Sequence, residues 1–136
     1  MGQDVQRIKM ILQKYKIIAV VGLSPDPDRP SHQVAQYMKG QGYTIIPVRP
    51  PGGEFILGEK SYPSLAGVAG TIEVVDIFRD PKFVPEIVDQ AIQKKVKVIW
   101  MQDGVIHEEA AAKAKAAGIE VIMDRCMMRD HISLCL

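Results

Sequence analysis

The sequence predicts an α/β protein with a doubly wound, mainly parallel sheet of five or six strands and helices on both faces. Two observations carry that expectation. Short segments rich in Val and Ile alternate with helical patterns along the chain. Those segments are almost continuously apolar, with no polar alternate face, as a parallel sheet covered on both sides requires. The length of 136 residues suits one hydrophobic core and not two, so residues 1–136 are expected to form a single domain.

The first helical pattern is capped by Asp4 and sets Val5, Ile8, Ile11, Leu12 and Tyr15 on one face. Ile17–Gly22 reads as the first strand. A second helix starts at Pro30, carries Val34, Tyr37 and Met38 at helical spacing, and stops at Gly40 and Gly42. Tyr43–Val48 is the second strand. Pro50–Val68 mixes Pro and Gly with short apolar pieces and reads as a loop, with a brief edge strand at Phe55–Leu57 and a turn near Pro63. The strand Ile72–Phe78 leads into a helix that opens near Asp80-Pro81 and carries Val84, Ile87, Val88, Ala91 and Ile92. After the strand Lys97–Met101, the segment His107–Gly118 is an alanine-rich helix with Glu108 and Glu109 at its positive end. Ile119–Met123 closes the series as the last strand.

Composition narrows the function classes. Apolar residues make up 47% and charged residues 24%, typical of a globular protein. A net charge of +1 supplies no basic face for nucleic acid, so any anion site must be local. No apolar run is long enough to span a membrane and no export signal is visible, so the expected location is cytoplasmic. Cys126 and Cys135 are then expected to be reduced thiols.

Right-handed crossovers place the Tyr43 strand outside the Ile17 strand on one side, with the Ile72, Lys97 and Ile119 strands following on the other. The topological switch falls between the Ile17 and Ile72 strands, and open α/β sheets bind ligands beside such a switch at the carboxyl ends of their strands. The loops Leu23–Ser31 and Arg79–Lys82 are the ones concerned, with Arg49–Gly53, Gln102–Val105 and Asp124–Met128 around them.

Gly22 permits a sharp turn after the first strand, and the helix starting at Pro30 points free N–H groups at the same space, an arrangement that attracts phosphate. Ser24 and Ser31 add hydroxyls, and Arg29 can neutralise an oxyanion with a planar fork. The dinucleotide fingerprint is absent: Leu23, Ser24, Pro25 and Asp26 follow Gly22, without the second and third glycines. The second strand ends in Val48-Arg49-Pro50 rather than in the carboxylate that would grip a ribose 2′-hydroxyl, which disfavours NAD. Arg49 is either a solvated loop charge or a ligand for an additional phosphate on an adenosine ribose, as in NADP or coenzyme A.

At this point whole segments carry a resemblance: VVGLSPDPDRPSHQVAQYM, YTIIPVRP, LGEKSYPSL, VVDIFRDPKFVPEIVDQAI, WMQDGVIHEEAAAKAKAAGI and VIMDRCMMRDH. In collinear order from about Ile17 to His131, the chain resembles the small stand-alone CoA-binding domain proteins, which are similar to the nucleotide-binding domain of the succinyl-CoA synthetase alpha chain. The resemblance implies a Rossmann-like fold that binds coenzyme A or an acyl-CoA. The diphosphate would lie near Gly22, Ser24, Arg29 and Ser31, with Pro25 and His32 also among the cofactor-binding residues. The adenosine would lie between Arg49-Pro50 and Phe78-Arg79, and the pantetheine would run toward Gln102, Gly104 and Cys126. The family commonly carries Asn where this chain has Arg49, and the synthetase domain with the phosphorylated histidine has no counterpart here.

Other chemistry is sparse. His32, His107 and His131 are scattered without metal-ligand spacing, so no metal is expected, and His107 reads as a helix-start residue. No nucleophile–base order or phosphate-loop sequence appears, Asp76 has no identifiable partner, and no catalytic residue is assigned. Cys126 is either a buried structural thiol or a partner for the CoA thiol in a reversible mixed disulfide. Met101, Met123, Met127 and Met128 either pack the core or line an apolar channel. The expected function is a non-catalytic or regulatory binding module. The alternatives are an NADP-dependent oxidoreductase and an adenine-nucleotide sensor acting through an unidentified protein partner. The amphipathic first helix and the small size are compatible with a homodimer.

Overall fold

The computed structural model describes residues 2–136; Met1, the first residue of the expected domain, lies outside them. Five parallel strands form the sheet in the order β2-β1-β5-β6-β7, as the crossovers required. They are β1 (Ile17–Val21), β2 (Thr44–Val48), β5 (Val74–Ile77), β6 (Val98–Met101) and β7 (Glu120–Ile122). The predicted strands are one to three residues longer than the paired segments, most of all at Ile72–Phe78, where the buried Ile72 and half-buried Phe78 continue the apolar run beyond Val74–Ile77.

Two helical layers cover the sheet. On one face, α1 (Gly2–Lys14), α2 (Pro30–Gly40) and α5 (Met127–Ser133) pack Ile8, Leu12, Val34, Met38 and Met127 against Ile18, Val20, Val74 and Trp100. On the other, α3 (Val84–Gln93) and α4 (Glu108–Ala116) set Val84, Val88, Ala111 and Ala114 against Ala19, Val75, Ile99 and Val121. Alternate residues of each strand thus feed opposite cores, which is why the strands read as unbroken apolar runs. Trp100 is fully buried and donates its Nε1–H to the Arg125 carbonyl at 2.9 Å, so its one polar atom is satisfied.

Several local expectations are corrected. Asp4 lies inside the first turn of α1 rather than capping it, because the helix begins at Gly2. The Phe55–Leu57 segment is not an edge strand of the main sheet. Leu57 and Gly58 both take positive φ and close a tight hairpin, pairing β3 (Phe55–Ile56) with β4 (Glu59–Lys60) as a separate antiparallel ribbon. The main sheet is extended beside β2 only by a bridge between Val48 and Tyr62. The helix expected at Asp80-Pro81 opens as a 3-10 turn, Pro81–Phe83, whose N-terminal Asp80 accepts a hydrogen bond from Lys82 N at 3.0 Å. The α-helix proper starts at Val84, where Pro85 falls in the first turn and its missing N–H costs nothing.

The helix α5 has no counterpart in the sequence reading. Its seven residues mix Arg129, Asp130 and His131 with Met and Ile, too short a run to show a period. Tertiary contacts hold it instead: Asp130 pairs with Arg125 through two hydrogen bonds of 2.9 and 2.8 Å, and His131 Nδ1 lies 2.7 Å from the Tyr37 hydroxyl. Among the described residues, no helix is long and apolar enough to cross a membrane.

Candidate functional site

The carboxyl ends of β1, β2, β5 and β6 converge on one edge, and what each strand carries just past its end builds the site. Gly22 follows β1 at φ +89, a backbone conformation that disfavours a side chain. A Cβ at Gly22 would overlap the Phe78 carbonyl oxygen and stand 2.9 Å from Arg79 Cδ, so the glycine is also what lets the two strand ends approach. Its N–H donates to the Val48 carbonyl at 2.9 Å, extending the ladder by one bond.

The turn after Gly22 is fastened to α2 from both sides of one residue. Ser24 N–H donates to Ser31 Oγ at 2.9 Å, and the Ser24 carbonyl lies 2.9 Å from His32 Nδ1. Because a carbonyl only accepts, that ring nitrogen carries the hydrogen. Two short bonds stiffen the rest: Asp26 N–H to Ser24 Oγ at 3.0 Å and Asp28 N–H to Asp26 Oδ1 at 2.9 Å. Pro30 removes one N–H from the first turn of α2, and those of His32 and Gln33 go to the Arg29 carbonyl. The Ser31 N–H has no acceptor among the described residues, which leaves it for a ligand at the positive end of the helix.

A cavity of about 650 Å³ opens over this edge. Of the sequence-predicted residues, Gly22, Ser24, Arg29 and Ser31 border it from the turn. Arg49, Phe78, Gln102 and Cys126 border it from the other loops. Pro25, His32, Pro50, Arg79 and Gly104 do not. His32 is buried and reaches the turn only through the Ser24 carbonyl. Gly104 is tied down by Asp124 Oδ1, which accepts its N–H at 2.7 Å. Pro50 and Arg79 face a second hollow of about 240 Å³ on the opposite side of the same strand ends, where the Arg79 guanidinium lies 4.0 Å from the centre of the Phe83 ring.

The sequence reading named the loops Leu23–Ser31 and Gln102–Val105 without singling out Asp26, Pro30, Asp103 or Val105 as ligand contacts, and it missed Val34 in the cavity wall. Pro30 and Val34 lay within the predicted helix, and its first turn was the signal for them. The charge of Asp103 is taken up by Arg129 through two hydrogen bonds of 2.8 and 3.0 Å, a pairing that raises the arginine's own pKa. Arg29 and Arg49 are therefore the cations at the cavity. Arg49 is steadied by Glu54, whose Oε1 lies 3.2 Å from its Nε, which leaves the outer guanidinium nitrogens free.

Away from the arginines the wall changes character. Gln102 is 3% exposed, and its Oε1 accepts the Met127 N–H at 3.1 Å, so its NH₂ donors stay uncommitted beside Val105 and Cys126. Cys126 is buried and not in a disulfide. Met101 and Met127 are fully buried core residues, Met123 and Met128 pack against the two cores, and none of the four borders the cavity. The ensemble sets a turn with free N–H and hydroxyl groups and two guanidinium groups at one end, and a wall carrying the Gln102 NH₂ beside Val105 and Cys126 at the other. Among the described residues, no cluster of His, Cys, Asp and Glu could hold a metal ion.

Comparison with known proteins shows the family and the fold. The family described as CoA binding domain matches residues 16–132. The Bacillus subtilis (strain 168) protein YneT is 44% identical over 124 residues, covering 91% of this chain and 91% of that protein. A hypothetical protein from Pyrococcus horikoshii OT3 superposes with a TM-score of 0.93 at 44% identity, covering 97% of this chain and 92% of the other. The acetate–CoA ligase (ADP-forming) II of Archaeoglobus fulgidus is 31% identical over 102 residues, which are 74% of this chain and only 15% of the ligase.

Proposed function

The chain belongs to the CoA-binding domain family, and on that premise we propose that it binds coenzyme A or an acyl-CoA at the 650 Å³ cavity and acts as a non-catalytic, regulatory module. The observation that carries this reading is the turn itself. Ser31 N–H, the Ser24 and Ser31 hydroxyls and the Arg29 guanidinium converge at the start of α2, beside the switch between β1 and β5. A diphosphate there meets the helix dipole and a cation together.

In this reading Arg49 takes the 3′-phosphate of the adenosine ribose. The adenosine lies across the strand ends between Arg49-Pro50 and Phe78-Arg79, with the second hollow to receive the base. The pantetheine runs along the wall toward Gln102 and Cys126. The similarity to a ligase that by its name uses CoA, over 15% of that protein's length, supports the CoA-binding role.

Calorimetric titration with CoA, dephospho-CoA, NADPH and ATP tests the proposal. CoA is expected to bind most tightly, ahead of dephospho-CoA. NADPH is the informative competitor, since Arg49 could serve its extra phosphate equally well, and a clear preference for NADPH or ATP overturns the reading.

A further inference from the structure

A carboxyl without a partner lies beneath the cavity floor. Asp76 sits in β5, the central strand of the five, and is 1% exposed. Its Oδ1 has no hydrogen-bond partner among the described residues. Register aligns Asp76 with Val20 on one side and Trp100 on the other. Gly22, Phe78 and Gln102 follow these three residues by two positions, so they stand on the same face, about 7 Å further along the strands. That second row borders the cavity. Asp76 is therefore one pleat below the floor and turned to the same side. Directly above it, one residue past the end of β5, is the half-buried Phe78.

The Trp100 and Met127 donors are spent elsewhere, and the uncommitted Gln102 NH₂ makes no hydrogen bond to Asp76 Oδ1. The Trp100 indole N–H goes to the Arg125 carbonyl, and the Met127 amide goes to Gln102. Burial holds the Asp76 carboxyl well above the usual carboxylate range, which favours the protonated form, an acid with an O–H donor and a carbonyl acceptor side by side. A trans secondary amide presents its C=O and N–H on opposite sides, so it pairs with such an acid through one hydrogen bond, its C=O accepting the O–H or its N–H donating to the acid's carbonyl oxygen. Leaving such a group unpaired in a central strand is costly, and costs of this sort collect where a ligand repays them.

We propose that Asp76 is a recognition residue for the amide-bearing arm of the ligand: when the arm enters, Phe78 turns aside and an arm amide pairs with the Asp76 carboxyl. This inference rests on the CoA reading above and adds a residue that selects for the arm rather than for the nucleotide. The test titrates wild type, Asp76→Leu and Asp76→Asn with CoA and with adenosine 3′,5′-bisphosphate, which lacks the arm.

Asp76→Leu is expected to weaken CoA about tenfold or more while leaving the armless nucleotide unchanged, and to raise the melting temperature of the free protein because it removes the unpaired group. Asp76→Asn, which keeps a donor and an acceptor, is expected to bind CoA within about threefold of wild type. A Leu variant that binds CoA like wild type, or that loses both ligands equally, overturns the inference while the CoA reading stands. An Asn variant as weak as the Leu variant also overturns it. Wild type that binds neither probe overturns the CoA reading, and the inference falls with it. Should the Leu variant fail to fold, the infrared C=O band of the neutral Asp76 acid in wild type decides: it shifts on adding CoA and not on adding the armless nucleotide, and an unmoved band overturns the inference.

Discussion

Gly22 and the Phe78 carbonyl meet where two adjacent strands end, and no Cβ fits between them. The contact brings the turn after β1 and the β5 loop to one cavity. It also yields the first prediction. Gly22→Ala combines a φ of +89 with overlap against backbone, which cannot rotate away. The expected destabilisation is about 3 kcal/mol or more, read from urea unfolding. A substitution that left the unfolding midpoint in place would show that the strand ends can separate freely.

Ser31 is expected to act on the turn before it acts on any ligand. Ser31→Ala leaves the Ser24 N–H without its acceptor and frees the turn from α2, at about 1–2 kcal/mol. Hydrogen exchange should quicken at Ser24 and Asp26 with the strands unaffected, and CoA affinity should fall in parallel.

Arg49 tests which phosphate is read. Its pairing with Glu54 is partly exposed and contributes little to folding, so Arg49→Ala should leave the melting temperature nearly unchanged. CoA affinity should drop about tenfold, with dephospho-CoA affected far less. Equal losses for the two ligands would move the 3′-phosphate away from Arg49. Arg29→Ala, by contrast, should weaken both.

His131 makes stability pH-dependent. Burial, and secondarily the nearby Lys16 charge, lower its pKa, so the folded state holds the ring neutral where the unfolded chain would already take a proton. Its stabilising contribution is therefore complete above the ordinary histidine range and is lost as pH falls through the folded-state value. The rings of Tyr37 and Tyr43 enclose it, so protonation loosens α5. The melting temperature of wild type should fall more steeply between about pH 7 and 5 than that of His131→Asn. Parallel curves for the two proteins would remove His131 from the account.

Much of this architecture was legible because it follows from local pattern. Apolar runs separated by helical periods dictate a parallel sheet, and the handedness of crossovers dictates the strand order. The glycine at position 22, the proline at position 30 and Ser24 and Ser31 marked the turn that borders the cavity for the same reason: each has a backbone consequence that needs no distant partner. The ribbon of Phe55–Lys60 and the helix α5 were not legible, since a hairpin can either join a sheet or stand apart, and two helical turns show no period.

What the sequence by itself determined is thus the fold, its switch point and the loops that meet there. Only the tertiary structure decided which of those loop residues face the cavity. It turned Arg79 and Pro50 to the far side of the strand ends, committed His32 to a backbone carbonyl, and paired Asp103 with Arg129. It also set Asp76 unpaired beneath Phe78. The reason is physical: backbone pattern fixes where a residue sits along an element, whereas the partner of a polar side chain is chosen by whichever groups the packed layers bring within hydrogen-bond reach.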